Sequence, residues 1–449
     1  MRKRFKKTHS VLNLSFTKIV FFGFALLIAV GGLLLMLPFA TVEGEETTLL
    51  GAMFTATSAT CVTGLVAYDT GTHWTLFGKA VILTLIQIGG LGFITIISMF
   101  FLMMKRDVGL RQRMLVMQST GALEMGGILP YVKRVVKGTL FFEGCGALLL
   151  ALRFIPRFGV VKGAWYSVFH AVSAFCNAGF DLMGGYNSFV EYRDDVVVNV
   201  TICMLILVGG IGFFVWADLL KNKLNFKKYR LHTKLVLVCS AALVLGGALM
   251  FFLLENKSSL LGLSVPEKIG ASLFQSVTMR TAGFNTVDFA KLSDSGALLC
   301  VFLMFIGGCP GSTAGGLKTT TFVILILASI ASARRKKDVF VFGRRIDRND
   351  VLTATAVGTL YIIIAFTAIL IISFLENFSL TQIMFEVVSA ENTVGVTMGI
   401  TRDFGVVSKL ILMALMFIGR IGGLTLALLF LEEAGAADVS RPVEKILVG

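Results

Sequence analysis

The fold of this chain is most constrained by eight long apolar stretches that carry at most one charge each. They are residues 19–37, 80–104, 138–152, 196–217, 235–254, 296–333, 351–375 and 410–431. A helix needs about 20 apolar residues to cross a bilayer core about 30 Å thick. Charged residues make up only 15% of the chain, against about 25% in soluble domains. We therefore predict an all-α polytopic membrane protein.

A short motif recurs four times at a period of roughly a hundred residues. In each copy a phenylalanine is followed by a hydroxyl residue four positions on, and by a glycine nine or ten positions on. The copies contain Phe54, Ser58 and Gly64; Phe169, Ser173 and Gly179; Phe274, Thr278 and Gly283; and Phe385, Ser389 and Gly395. Such a repeat implies four-fold pseudosymmetry. We predict four parallel span–pore-helix–span repeats around a central pore: residues 1–110, 111–230, 231–345 and 346–449, the last with a short cytoplasmic tail.

The approach to each of these glycines is too short to cross the membrane. Residues 49–59 would form about 16 Å of helix, half a bilayer, so the chain must turn back inside the membrane. Irregular backbone is tolerated there only where it lines water or is buried in protein. Glycine permits positive φ at the turn, and four helix C-termini favour a cation. The alternative for each glycine is helix packing alone.

A second glycine cluster follows in each repeat, at residues 88–92, 208–212, 306–311 and 418–423. Small residues within spans usually allow helices to approach closely, which is our interpretation of the first two clusters. The stretch 296–333 is too long for one helix across a bilayer. Its glycine- and proline-rich segment 307–318 must break it, as a packing kink or as a mobile gate.

Several ionisable residues fall at predicted membrane depth, where charges normally have partners. On a pore-facing surface Arg420 would either repel cations or hold the segment 307–318 through its carbonyls. Arg280 is expected to brace the third glycine from behind, with Glu386 or Glu391 as its partner, rather than to contact the ion directly. We interpret Glu143 as a helix–helix hydrogen-bond partner, and His170 as structural.

The net charge of +14 is explained by orientation. Of the 41 lysines and arginines, 28 lie before residue 19, in 105–137, 218–234 and 334–350, and in the tail. This bias predicts cytoplasmic N- and C-termini and makes nucleic-acid binding unnecessary. The seven cysteines form no CxxC or Cys/His cluster, so neither a metal site nor a disulfide framework is indicated.

The four glycine segments resemble the filter segments of the Trk/Ktr/HKT superfamily of potassium transporters, and the chain is most similar to Ktr membrane subunits of the KtrB/KtrD type. The resemblance implies potassium uptake across a bacterial cell membrane, with K⁺ on backbone carbonyls and glycine rather than serine at position 64 favouring potassium over sodium. It implies a filter of Thr60, Cys61, Val62, Thr63, Gly64, Cys176, Asn177, Ala178, Gly179, Thr281, Ala282, Gly283, Asn392, Thr393, Val394 and Gly395. The implied gate comprises Gly307, Gly308, Pro310, Gly311, Ser312, Thr313, Gly315, Gly316, Lys318 and Arg420.

The same resemblance implies a homodimer in membrane lipid and a cytosolic nucleotide-binding RCK ring of the KtrA/KtrC type. No cofactor is implied in this chain, and a sodium ion as activator is left open. A secondary cation transporter with alternating access is the main alternative, although parallel repeats argue against the inverted repeats of many such proteins. An enzyme is disfavoured because the spans contain no catalytic cluster, and a voltage-gated channel because no span has arginine at every third position.

Overall fold

The computed structural model describes residues 16–92, 128–223 and 225–422. The predicted basic loop at 105–113, both termini and the last parts of the stretches 80–104 and 410–431 lie outside these residues. Four helices in the described ranges are long and apolar enough to cross a membrane, one for each predicted repeat. They are α1 (Phe16–Leu35), α4 (Ile128–Phe158), α8 (Leu231–Glu255) and α12 (Arg348–Leu375).

Each long helix is followed by a shorter helix that ends at one of the repeated motifs. These are α2 (Leu49–Thr60), α5 (Val160–Phe175), α9 (Val265–Thr278) and α13 (Leu380–Glu391). Hydroxyl side chains begin three of them: Thr48 accepts the Gly51 N–H, and capping boxes start α9 and α13. Such caps satisfy backbone N–H groups that the first helical turn leaves free. The predicted short helices are therefore present in all four copies.

The remaining helices are the second spans, and they are interrupted more often than the sequence suggested. They are α3 (Leu76–Leu91), α6 (Val196–Gly210), α7 (Phe213–Asn222), α10 (Asp294–Phe305), α11 (Thr319–Ala333) and α14 (Val406–Ile421). We expected 196–217 to be continuous, but α6 and α7 meet at a 95° bend. Gly212 has φ 93° there, a value that a right-handed helix cannot contain. Helices α3 and α14 end at Gly92 and Gly422 in similar conformations. Among the described residues, the break at 307–318 is longer than the one at Gly212.

Short elements connect these helices. The 3₁₀ turns are Pro38–Ala40, Val190–Tyr192, Phe226–Lys228 and Phe289–Lys291. After α11 a small antiparallel hairpin pairs β1 (Phe340–Val341) with β2 (Arg344–Arg345). This hairpin lies in the basic segment 334–350 and is an addition to an otherwise helical fold.

The core runs around the molecule through contacts between consecutive repeats. Phenylalanines 54, 169, 274 and 385 of the motif are all buried. One cluster joins Ala56 of the first repeat to Phe175 of the second and Phe274 of the third. Others join Phe289 to Phe385, and Phe54 to Leu412. The fourth repeat therefore packs back on the first, while exposed apolar side chains such as those of α12 face outward, as lipid contact requires.

Candidate functional site

The four segments around the repeated glycines, here called the glycine loops (60–64, 176–179, 281–283 and 392–395), share an unusual backbone. In each loop the residue two positions before the glycine has positive φ: Val62 57°, Asn177 58°, Thr281 65° and Thr393 51°. Each glycine also has positive φ: Gly64 101°, Gly179 69°, Gly283 86° and Gly395 91°. The non-glycine positions cost roughly 1–2 kcal/mol each, so the surroundings must impose the conformation.

The glycine loops form a closed ring. A Cβ on Gly64 would lie 2.6 Å from the carbonyl oxygen of Ala178, one on Gly179 would lie 2.8 Å from that of Ala282, and one on Gly283 would lie 2.7 Å from that of Val394. A Cβ on Gly395 would overlap the carbonyl oxygen of Thr63. Each glycine thus faces the carbonyl that precedes the next glycine, and the fourth loop returns to the first. A side chain at any of the four would push on the neighbouring loop.

The hydroxyl of the repeated motif fixes each loop from behind. Ser58 and Ser389 accept the N–H of their own glycine, at 3.0 and 3.1 Å. Ser173 and Thr278 donate to the carbonyl of the residue after the glycine, Phe180 or Phe284, at 2.7 and 2.6 Å. The spacing of phenylalanine, hydroxyl and glycine therefore has a structural reason: the phenylalanine is buried and the hydroxyl holds the loop. The sequence indicated the pattern but not this bond.

The second glycine clusters are contact points for the ends of the short helices. A Cβ on Gly89, Gly209 or Gly419 would overlap the carbonyl oxygen of Thr60, Phe175 or Glu391 respectively, each the last residue of the short helix in the same repeat. These contacts agree with our interpretation that the first two clusters allow close helix packing. Gly419 of the fourth repeat makes the same kind of contact. The next position is Gly90 in the first repeat and Gly210 in the second, whereas the fourth has Arg420. The side chain of Arg420 therefore occupies a position at which the first and second repeats have no side chain.

Four threonine hydroxyls of the glycine loops are buried, and within the described part of the chain they have no hydrogen-bond partner. They belong to Thr60, Thr63, Thr281 and Thr393. Buried hydroxyls are normally paired, so unpaired ones in a ring of carbonyl groups are available to a ligand. Oxygen donors of this kind suit a hard monovalent or divalent cation. No group of three or more potential His, Cys, Asp or Glu ligands occurs among the described residues.

Residues 307–318, here called the intramembrane loop, are folded against these glycine loops. The ends of the loop are tied together, since Gly307 N–H donates to Leu317 O at 2.8 Å and the hydroxyl of Thr319 donates to Gly307 O at 2.8 Å. At its centre the Thr313 hydroxyl donates to Phe175 O at 3.0 Å. The Lys318 ammonium donates to Ala314 O at 2.7 Å, so it closes the loop on itself.

Two asparagines join the intramembrane loop to the glycine loops. The Oδ1 of Asn392 accepts the Leu317 N–H at 3.1 Å. The Oδ1 of Asn177 accepts from the Thr313 hydroxyl at 3.4 Å, while its amide donates to Arg280 O at 3.3 Å. The side chains of both asparagines thus contact the intramembrane loop. Their positions in the glycine loops did not indicate this contact from the sequence.

Two arginines contact the intramembrane loop or the residue that follows it: Arg420, which is partly buried, and Arg280, which is buried. Arg420 donates to Thr313 O and also to the carbonyls of Gly89 and Gly90 in the first repeat, the last at 3.0 Å. It therefore holds the loop through the carbonyl of Thr313, which is the second of the two roles considered for it. Arg280 donates to the Thr319 hydroxyl at 3.0 Å, at the base of the loop, and in the described part of the chain its Nη1 has no partner.

The expected pairing of Arg280 with a glutamate is wrong. Glu386 accepts from the Thr401 hydroxyl at 2.7 Å and the Met398 N–H at 3.0 Å, as well as from Thr397, and so orders the chain after the fourth glycine. Both carboxyl oxygens of Glu391 are buried, with no hydrogen-bond partner found in the described part of the chain. In the described part of the chain neither glutamate is hydrogen-bonded to Arg280, which donates to Thr319 instead.

The other two polar residues singled out from the sequence have structural contacts. Glu143 accepts from the Gln87 amide at 3.2 Å and lies 3.9 Å from the Cys176 thiol, which links α4 to α3 and to the second glycine loop. His170 contacts Tyr166 O through Nδ1 at 2.7 Å, and its Nε2 accepts the Leu182 N–H at 3.1 Å. This pattern is that of a neutral histidine fixing a loop.

Comparisons with known proteins agree over nearly the whole chain. The profile of a family described as "TrkH: Cation transport protein" matches residues 24–438. The chain is 40% identical to the "Potassium/sodium uptake protein NtpJ" of Enterococcus hirae, covering 100% of this chain and 99% of that protein. It is 41% identical to "Ktr system potassium uptake protein B" of Bacillus subtilis, covering 95% of each. The crystal structure of the potassium transporter TrkH from Vibrio parahaemolyticus matches with a TM-score of 0.73 and 20% identity, covering 95% of this chain and 87% of that one.

Proposed function

Because the chain belongs to the TrkH family of cation transport proteins, we propose that it conducts potassium ions through the ring of glycine loops, under control of the intramembrane loop. Membership of this family makes the chain an integral membrane cation transporter rather than an enzyme, as predicted. The relatives named above are potassium or potassium/sodium uptake proteins. Their names support potassium uptake as the direction and cargo proposed for this chain.

The observation that carries the proposal is the closed ring of four glycine loops with one shared backbone. The carbonyl oxygens of Thr63, Ala178, Ala282 and Val394 each lie against the glycine of a neighbouring loop. Carbonyl oxygens arranged around an axis can replace the hydration shell of a potassium ion. The unpaired threonine hydroxyls add further oxygen donors to the same ring. We propose that all sixteen predicted filter residues serve this ring, with K⁺ coordinated by backbone carbonyls.

Helix ends favour a cation at this place. Each short helix ends four or five residues before its glycine, so its C-terminus is the end nearest the ring. That end carries the negative half of the helix dipole, and four such ends lower the energy of a positive ion between them. In this account the ring selects for cations by electrostatics, and for potassium by the spacing of its oxygens.

The intramembrane loop is the proposed gate. It bonds to the second glycine loop through Thr313 and to the fourth through Leu317, so it lies against the ring. Arg420 connects it to the first repeat, and its own ends are tied at Thr319. Backbone N–H groups of Cys309, Thr313 and Gly316 also donate to carbonyls of the second glycine clusters. These bonds lie between segments, so the loop can be displaced without unfolding any helix. We propose that Arg420 stabilises the closed position and that Arg280 anchors the base of the loop.

The assembly proposed for the chain follows from its relatives. A relative named as part of a Ktr system supports a membrane subunit that acts with other components. We propose a homodimer in the bacterial plasma membrane, with cytoplasmic termini and a cytosolic RCK-type ring that moves the gate. The division into four repeats and the orientation are part of the same proposal.

Ion flux through the purified chain tests the function directly. Vesicles containing the full-length protein should take up potassium faster than sodium along imposed gradients, and empty vesicles should take up neither. Single-channel currents would support a pore, whereas saturable uptake without such currents would favour alternating access. A sodium requirement for potassium flux would identify sodium as an activator. Absence of flux for both ions, with and without a voltage, would contradict the proposal.

A further inference from the structure

We infer that residues 184–189, here called the outer strap, cross the entrance of the ring and fix the positive charge of Arg402 where ions enter. The guanidinium carbon of Arg402 lies 4.2 Å from the centre of the Tyr186 ring. Tyr186 belongs to the second predicted repeat and Arg402 to the fourth. The inference rests on the proposed function, because it gives Arg402 a role in the entry of cations to the glycine loops.

The order of the glycine loops gives this contact its meaning. Each glycine lies against the carbonyl of the next loop in the chain, and the fourth returns to the first. The second and fourth repeats are therefore opposite each other in the ring. Tyr186 and Arg402 each follow the glycine of their own loop, Gly179 or Gly395, by seven residues. A contact between equivalent residues of opposite repeats reaches across the ring.

The outer strap is also bonded to the two repeats beside it. The Tyr186 N–H donates to Asp69 Oδ2 of the first repeat at 2.9 Å. At the other end, the Phe189 N–H donates to Asn285 O of the third repeat at 2.9 Å, and the Asn285 N–H donates to the Ser188 hydroxyl at 3.3 Å. One short segment of the second repeat thus contacts all three other repeats, which places it over the entrance.

The outer strap lies on the side of the ring away from the proposed gate. The intramembrane loop bonds to Asn177 and Asn392, which precede the glycines of their loops, whereas the strap follows Gly179. Each short helix ends before its glycine, so the chain leaves the gate side of the ring as it continues through the glycine. Under the proposed orientation the strap is extracellular, where potassium enters.

The backbone of the outer strap has an unusual conformation. Positive φ occurs at Gly184 (83°), Gly185 (67°), Tyr186 (58°) and Ser188 (48°). A bulky residue such as tyrosine rarely adopts such values, and they persist where surrounding contacts impose them. The bonds to the first and third repeats are contacts of this kind. They hold the Tyr186 ring in one place, and with it the guanidinium that lies on the ring.

Arg402 brings a positive charge to this entrance. Its side chain is exposed, and none of the ion pairs found in the described part of the chain includes it. The face of a tyrosine ring attracts a guanidinium, so Tyr186 determines where the charge lies. A fixed positive charge lowers the local concentration of cations, and salt screens this effect. Arg402 therefore limits the rate at which potassium reaches the ring.

Potassium influx into right-side-out vesicles tests the role of this charge. The vesicles come from cells that express the full-length protein, as wild type, Arg402→Gln or Arg402→Lys. At low ionic strength Arg402→Gln should raise influx roughly twofold, the effect of a unit charge about 10 Å from an ion in water. Arg402→Lys keeps the charge and should match wild type. In about 1 M choline chloride, where the Debye length is about 3 Å, all three should agree.

Lys162→Gln is the matched control. Lys162 is exposed and lies 5.3 Å from the centre of the Tyr166 ring, but both residues belong to the second repeat. Loss of its charge should leave influx unchanged. An equal rise in Arg402→Gln and Lys162→Gln would overturn the inference. A rise in Arg402→Gln that persists in high salt, or no rise at all, would overturn it as well.

A second variant changes the sign of the charge on the outer strap. Tyr186→Cys is labelled with thiosulfonate reagents that carry a positive, a negative or no charge, and treated wild type controls for the native thiols. The positive label should lower potassium influx and the negative label should raise it, relative to the neutral one. Equal influx with all three labels would contradict the inference and leave the proposed function standing. Absence of potassium flux in wild type would contradict the proposed function, and the inference with it.

Discussion

Gly395 lies directly against the carbonyl oxygen of Thr63, so the last glycine loop of the chain meets the first. This contact closes the ring, and it leaves no room for a side chain at position 395. The four loops must consequently form together, because each depends on its neighbour for its position. The positive φ values at the residues two before each glycine are the local cost of this arrangement.

The contacts between short helices and second spans predict that Gly89, Gly209 and Gly419 have no room for a side chain. Gly89→Ala and Gly419→Ala should lower the stability of the protein by about 1–3 kcal/mol, because each added methyl overlaps a helix-terminal carbonyl. Gly246→Ala on α8 is the matched control, since nothing lies within 4 Å of its missing Cβ. It should be neutral or stabilising by up to about 1 kcal/mol. Thermal unfolding in detergent measures the stability of the three variants. Equal unfolding midpoints for the two test variants and the control would be inconsistent with this packing.

Removal of a hydroxyl behind the ring should affect selectivity more than stability. Ser389→Ala deletes the acceptor for the Gly395 N–H and the donor to Val396 O. We expect the loss of these bonds, about 1 kcal/mol net, to weaken the binding of potassium in the ring. The ratio of potassium to sodium flux should then fall roughly fivefold. Ser373→Ala, on an exposed turn of α12, should leave the ratio unchanged. Equal ratios in both variants would show that the hydroxyl does not hold the loop.

Arg420 should keep basal flux low. Arg420→Ala removes the bonds to Thr313 O and to the first repeat, so potassium flux without any partner should rise several-fold. Arg420→Lys should restore the closed state only in part, since one ammonium cannot reproduce the planar fork of a guanidinium. Arg157→Ala, in an exposed ion pair with Glu191, is the control and should behave as wild type. A lower flux in Arg420→Ala would mean that this arginine opens the path rather than closing it.

The base of the intramembrane loop offers a conservative test of the gate. Thr319→Val keeps the shape of the side chain but removes the hydroxyl that donates to Gly307 O and accepts from Arg280. We expect higher basal potassium flux, since each buried bond contributes about 1 kcal/mol and Arg280 loses its partner. Thr320→Val, at the less buried next position, should leave flux unchanged. If the two variants behave alike, the hydroxyl of Thr319 has no role in holding the loop.

Much of the architecture could be predicted from the chain because it rests on periodicity. Apolar length indicates a span, a short approach to glycine indicates a re-entrant helix, and the density of glycine in 307–318 requires a break. These features depend on local sequence and on the thickness of a bilayer. The repeated hydroxyl was visible for the same reason, although its hydrogen bond to the loop was not.

The errors concern partners that only the three-dimensional arrangement decides. Arg280 was expected to pair with a glutamate, but the register of α13 turns Glu386 toward Thr401, and a threonine hydroxyl is the partner instead. The bend at Gly212 was not predicted because the apolar composition of a stretch is the same whether its helix is straight or bent. The contact of Asn392 with Leu317 joins two repeats, and no spacing within one repeat could indicate it.

The most direct test of the central claim is the ratio of potassium to sodium flux through vesicles containing Gly64→Ser. A Cβ there would lie 2.6 Å from Ala178 O, whereas one on Gly399, which has a similar φ of 95°, meets nothing within 4 Å. Gly399→Ser therefore controls for backbone strain alone. We predict that Gly64→Ser lowers the ratio at least about tenfold, equivalent to 1.4 kcal/mol, while Gly399→Ser keeps it. Unchanged flux and ratio in Gly64→Ser would contradict the assignment of the glycine ring as the selectivity filter.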